Sequence, residues 1–261
     1  MMNEILYKDM AANLAALKTG VSMNELSGLA VDHNYGEKEL EAVNTVFSYI
    51  LSRKRERSFE TLLSLSRLPK KVPRTFDNFD FSVMNNELAD KLKNLTTLAT
   101  VFSNRNLAFI GPPGTGKTHL AQAFGYECCR HGIQSYFIKM SELRDRFDSA
   151  RMNGKLDKAM KGLVQPSCLI IDEIGHCTFD KADTRLFFDL VDRRYNKSGY
   201  SCMVFTSNSQ PADWKNDFDD HDALYCTLDR IFDRATVFDL CGKSYRGKDL
   251  EYVTIKMKEH H

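Results

Sequence analysis

Apolar residues recur at helical spacing along the first part of the chain. Leu6, Met10, Leu14 and Leu17 share one face of a stretch from 2 to 19, and Thr19-Gly20 closes it as a helix C-terminus would. Ser22 followed three residues later by Glu25 is a capping-box signature ahead of Leu26 and Leu29. From Glu37 to Arg57, Leu40, Val43, Phe47, Ile50 and Leu51 again line one face. The pattern predicts a small all-helical N-terminal domain over residues 1–68. RLPKKVPRTFDNFDF (67–81) breaks it with two prolines and a basic cluster, which predicts a basic linker over 69–82.

Beyond residue 87 the grammar changes. Helical stretches alternate with β-rich runs at NLAFI (106–110), SYFIKM (135–140), CLIID (168–172), CMVFT (202–206) and TVFDL (236–240). Strands alternating with helices predict an α/β domain over 83–248, a parallel sheet with helices on both faces. ALYCTLDRIFDRATVF (223–238) reads as a helix burying Leu224, Leu228, Ile231 and Ala235, with Arg230 and Arg234 on another face. In the tail, 249–261, EYVTIKM (251–257) alternates with period two, as an edge strand would.

Composition narrows the function classes. With 261 residues and 43% apolar content the chain can bury a sizeable core. Its 36 Lys and Arg nearly cancel 35 Asp and Glu, so a nucleic-acid surface has to be local. The seven cysteines form no C-x-x-C pair, and most sit in apolar runs, as reduced core thiols of a cytoplasmic protein do. No signal peptide and no run of eighteen apolar residues occurs, so no membrane association is expected.

GPPGTGKTHL (111–120) fits G-x-x-x-x-G-K-[ST] and sits between a predicted strand and a predicted helix. Backbone N–H groups of such a loop wrap a polyphosphate, helped by the partial positive charge of the helix N-terminus. Lys117 then reaches the β- and γ-phosphates and Thr118 offers its hydroxyl to Mg²⁺. CLIIDE ends a strand in two adjacent carboxylates. Asp172 suits the Mg²⁺ shell, and Glu173 suits a base that orients and deprotonates an attacking water. Asn208, at the tip of the next strand, suits a sensor between the γ-phosphate and that water. Read alone, Glu173 could cap a turn, and Asn208 could satisfy local backbone; their order along the chain favours the hydrolytic set. Arg230 and Arg234 could complete a neighbouring subunit's site or form exposed ion pairs of little weight.

Between 51 and 74, Arg53, Lys54, Arg55, Arg57, Arg67, Lys70, Lys71 and Arg74 face only Glu56 and Glu60. Such a cluster can neutralise DNA phosphates without reading bases, or can be a solvated face. Arg53, Lys54, Arg55, Arg57, Lys70, Lys71 and Arg74 are the candidate DNA contacts. Residues 141–162 are a second candidate, but their six basic residues are offset by four acids.

The ordered set GPPGTGKTHLA, LIIDEIG, TSN, LDRI and GKSYR, running from about residue 5 to 246 with its flanks, resembles the IstB-type AAA+ ATPases. These are helpers of insertion-sequence transposition, and the helicase loader DnaC is a close relative. The resemblance implies a P-loop NTPase fold without a C-terminal lid domain. It also implies an ATP- and Mg²⁺-dependent ATPase that forms a homo-oligomer on duplex DNA and recruits or activates a transposase. Loading of a replicative helicase is the nearest alternative, and a P-loop kinase for a small molecule a more distant one. By motif position Gly111, Pro112, Pro113, Gly114, Thr115, Gly116, Lys117, Thr118 and His119 would hold ATP. Thr118 and Asp172 would hold the metal, and Lys117, Glu173, Asn208 and a trans-acting Arg230 would carry catalysis. LPKKVPRTFDNFDF resembles the family's linker, which contributes to the adenine pocket, and Arg246 matches a family position of less certain role.

Overall fold

A computed structural model describes residues 4–242. The chain divides into two compact units, residues 1–61 and 62 onward.

The first unit is helical: α1 (Glu4–Leu17), α2 (Met23–Asp32) and α3 (Glu37–Leu65), the last running on into the second unit. Ser22 and Glu25 form the capping box expected for α2, each satisfying the other's orphan N–H. Leu6, Met10, Ala30 and Leu40 make a small core, with Met23, Leu26, Val43 and Phe47 packed against it. Asn13 Nδ2 donates to Asn44 Oδ1 at 2.7 Å, tying α1 to α3.

The second unit holds α4 (Asn86–Lys93), α5 (Ala99–Phe102), β1 (Asn106–Ile110), α6 (Lys117–Arg130), β2 (Ser135–Lys139), α7 (Met140–Met152) and α8 (Leu156–Val164). They are followed by β3 (Cys168–Ile174), α9 (Lys181–Tyr195), β4 (Cys202–Ser207), α10 (His221–Asp233) and β5 (Ala235–Asp239). The strands form one parallel sheet in the order β2-β3-β4-β1-β5. After β1 the chain crosses to the far edge and then winds back, so β1 and β4 border a topological switch. Alternation splits the strand residues between two faces. Ala108, Ile110, Ile138, Leu169, Ile171, Met203 and Phe205 join a core that includes α7 through α10. The opposite face packs on α6: a Cβ added at Gly125 would sit 2.5 Å from Ile170 Cδ1.

Three local readings change. α3 extends to Leu65, beyond Arg57, and the residues after it belong with the sheet: the Ser66 carbonyl accepts the Phe137 N–H of edge strand β2 at 2.8 Å, and Leu68 is buried beside Gly125. The helix expected over 223–238 stops at Asp233, because Thr236-Val237-Phe238 pair with β1; Ala235 opens β5 and is only half-buried. Cys128, Cys129, Cys168 and Cys202 are core thiols, but Cys177 is half-buried and Cys226 and Cys241 are exposed. The EYVTIKM strand, the rest of the 249–261 tail and Arg246 lie outside the described residues. Among those residues no helix is long and apolar enough to cross a membrane.

Candidate nucleotide site

The loop from Gly111 to Gly116 leaves the C-terminal end of β1 and opens α6. Gly111 has φ +141°, and a Cβ there would lie 2.4 Å from the Leu240 carbonyl oxygen, so the position admits only glycine. Gly114 and Gly116 also have positive φ, and Gly116 caps α6 with no side chain. The helix's first N–H groups therefore face the loop's concave side without a side-chain acceptor, as an anion site requires. Lys117, buried, donates to the carbonyls of Gly111 and Pro112 at 2.6 and 2.7 Å, and Thr115 Oγ1 donates to Pro112 at 2.9 Å. These bonds curl the loop over its own lysine.

Asp172 and Glu173 stand at the end of β3, beside the loop. In a regular strand adjacent side chains point to opposite faces. Here Ile171 pairs with Phe205 and Ile174 with Ser207, so β3 carries one more residue than β4 over this interval. The extra residue makes a bulge, and Glu173 takes φ +64°. Glu173 thereby lines the same cleft as Thr118 and the loop. Its carboxylate lies 3.0 Å from Lys139 Nζ at the end of β2, an ion pair that holds the Lys139 pKa above its usual range.

Asp172 is fully buried. Its Oδ1 accepts the hydroxyls of Thr118 (2.9 Å) and Thr206 (2.6 Å), whereas Oδ2 is buried without a hydrogen-bond partner. Burial pushes its pKa above the usual carboxylate value, against the pull of the two hydroxyls. An orphaned, desolvated carboxylate oxygen beside a threonine hydroxyl is a hard-oxygen donor set that fits Mg²⁺, which takes one or two carboxylates and completes its shell with phosphates and water. Thr118 can donate its proton to Asp172 while offering a lone pair to the cation.

The outer wall comes from the linker. Arg74, Asn78, Phe79 and Asp80 line the cleft of about 750 Å³ together with Gly114, Lys117, His119, Glu173 and Asn208. His119 Nε2 lies 2.9 Å from the Thr75 carbonyl and donates to it; burial lowers the ring's pKa, against the pull of that bond. Phe79 packs edge-on against the same ring at 5.1 Å. Arg74, expected among the DNA contacts, thus sits in the cleft wall.

Arg230 lies elsewhere. It lines a recess with Asn104, Asn106, Ser201 and Arg234 where β1 and β4 begin, the length of the sheet (about 15 Å) from the C-terminal strand ends. Its Nε is 3.0 Å from Asp192, and its guanidinium stacks 4.9 Å over Phe188. Arg53, Lys54, Arg55 and Arg57 are exposed on α3, and Lys70 and Lys71 are exposed in the linker. Arg53 pairs with Glu56.

Sequence reasoning missed three residues. Lys139 holds Glu173 and Thr206 bonds to both carboxylate residues, and both require the strand register to be known. Arg194, buried in the second unit, donates to the carbonyls of Leu163, Val164, Pro166, Ser167 and Cys202, joining the approach to β3 to the start of β4. Burial lowers its pKa to about 10.

The profile of the IstB-like ATP binding protein family matches residues 10–251. The chain belongs to this family. An insertion-sequence (IS5376) ATP-binding protein of Geobacillus stearothermophilus is 34% identical over 206 residues, covering 79% of this chain and 80% of that one. Its counterpart from IS232 of Bacillus thuringiensis subsp. berliner is 30% identical over 246 residues, covering 93% and 96%. Among solved structures, the DnaC helicase loader superposes with a TM-score of 0.54 at 21% identity, over 64% of this chain and 97% of that one. AMPPCP-bound DnaA from Aquifex aeolicus gives 0.54 at 18% identity, over 67% of this chain and 51% of DnaA. At these identities the two structures establish the shared AAA+ fold. The chain's second unit has the five-stranded P-loop AAA+ fold.

Proposed function

We propose that this IstB-like protein is a Mg²⁺-dependent ATPase whose nucleotide state controls its assembly on duplex DNA, where it recruits or activates the transposase of its insertion sequence. The observation that carries the hydrolytic reading is the bulge at the end of β3, which turns Glu173 into the cleft lined by the phosphate loop and by Thr118, whose hydroxyl bonds to the buried Asp172. The loop amides and Lys117 bind the phosphates, and Phe79 with His119 gives the base an aromatic wall. Thr118 and Asp172 would hold Mg²⁺, which when bound would neutralise developing charge on the phosphates. Glu173 takes the proton of the attacking water, and Asn208, on the cleft wall, orients that water.

Arg230 is assigned to a neighbouring copy's site, since it stands at the far end of the sheet from its own. The exposed Arg53, Lys54, Arg55, Arg57, Lys70 and Lys71 are assigned to DNA phosphates. The relatives named for insertion sequences favour a transposase over a replicative helicase as partner, because the likeness to DnaC is one of fold alone.

Glu173→Gln tests the reading. The variant should bind ATP as the parent does, lose hydrolysis by about 100-fold or more, and persist as DNA-bound assemblies when ATP is present. Normal turnover would remove Glu173 from its role.

A further inference from the structure

Thr206, on β4, makes two hydrogen bonds to the carboxylate-bearing end of β3. Its Oγ1 donates to Asp172 Oδ1 at 2.6 Å and accepts the backbone N–H of Glu173 at 2.9 Å. The side chain is buried, and it stands where β3 carries its extra residue, between the pairs Ile171–Phe205 and Ile174–Ser207. At a bulge one backbone group loses its ladder partner. At this bulge a side-chain hydroxyl accepts the N–H of Glu173. That amide belongs to a residue at φ +64°, a conformation that L side chains adopt at a cost unless the surroundings enforce it.

The same hydroxyl sets the orientation of Asp172. With Thr118 it occupies Oδ1, and this leaves Oδ2 as the oxygen without a hydrogen bond. Neighbouring contacts stiffen the turn: Ser207 Oγ donates to the Ile174 carbonyl at 3.0 Å, and the Gly175 N–H reaches Met140 Sδ at 3.3 Å. Among the side-chain bonds of the described residues, only those of Thr206 reach both members of the carboxylate pair.

We infer that Thr206 is a positioning residue for the ATPase site: one hydroxyl holds the metal-side carboxylate in orientation and the water-activating glutamate in its left-handed backbone. This rests on the hydrolytic reading above. Valine at 206 keeps the shape and the β-branch while removing both hydrogen bonds, leaving the half-buried Glu173 N–H without its acceptor. Serine keeps the hydroxyl.

The test compares the full-length protein with Thr206→Val and Thr206→Ser. It reads kcat and KM for ATP across a Mg²⁺ titration, ATP affinity in EDTA, thermal stability, and hydrogen exchange at the Glu173 amide. In Thr206→Val, kcat at saturating Mg²⁺ should fall about 10- to 100-fold with ATP affinity in EDTA unchanged. The Glu173 amide should exchange faster, and Thr206→Ser should recover most of both losses. Wild-type kcat in Thr206→Val would overturn the assignment while leaving the role of Glu173 intact. Loss of ATP affinity together with kcat, without rescue by serine, would make Thr206 a folding residue only and overturn it as well. Should the wild-type protein hydrolyse no ATP with or without DNA, the hydrolytic reading itself falls. Amide exchange then decides for Thr206: protection unchanged in Thr206→Val refutes the positioning role, and protection lost in valine but kept in serine sustains it.

Discussion

Glu173 pays in backbone strain for the direction of its carboxylate. At φ +64° it occupies a region where a glycine bears no Cβ penalty, so under the proposed function the best residue for this bulge's stability is not the best for hydrolysis. Glu173→Gly should therefore leave the unfolding free energy unchanged or raise it by up to about 1 kcal/mol, while abolishing turnover. The half-exposed ion pair with Lys139 contributes too little to reverse that sign. Chemical denaturation measures the first effect. A loss of stability well beyond 1 kcal/mol would contradict the strain account.

At the level of elements, the N-terminus of α9 carries its own titration. Asp183 sits in the first turn, buried, with Asp180 as the N-cap and Arg151 at 3.0 Å. Burial, and next the Asp180 charge, push its pKa from 3.8 to about 6. The folded protein thus binds more protons than the unfolded chain between those values, so this group's contribution to stability declines as pH rises from about 4 to 6 and is level above. Thermal melts across that window should show the difference in Tm, Asp183→Asn minus parent, growing as pH rises. An identical pH profile in the variant would refute it.

Elements were also the scale at which the sequence was most legible. The five strands announce themselves as β-rich runs, and the phosphate loop lies between its expected strand and helix. Ser22 and Glu25 name their own capping box. What could not be read depends on register. Adjacent Asp172 and Glu173 imply opposite faces in a strand, and only the pairing of β3 with β4 reveals the bulge that brings Glu173 into the cleft. Thr206 and Lys139 escape for the same reason, being distant in sequence from what they hold. Residues 223–238 misled because Leu224, Leu228 and Ile231 continue in helical phase to Ala235, while Thr236 to Phe238 have the stronger partner in β1.

For the whole molecule, the proposed function divides the parts of one ATPase site between different copies. The loop, Asp172 and Glu173 lie at the C-terminal ends of the strands, and Arg230 lies at the other end. A protein built this way gains its arginine only by stacking head to tail, and such a contact forms rings or filaments instead of closed pairs. In the proposed function duplex DNA supplies a track for that stacking through phosphate contacts, so assembly should weaken steeply with salt. The most direct measurement is particle mass and ATP turnover, recorded together, with and without ATP and non-specific duplex DNA across a salt series. The account predicts that ATP and DNA together, and neither alone, produce large particles with altered turnover, and that rising salt disperses them. A protein that stays monomeric and turns over ATP at one rate under every condition would contradict it.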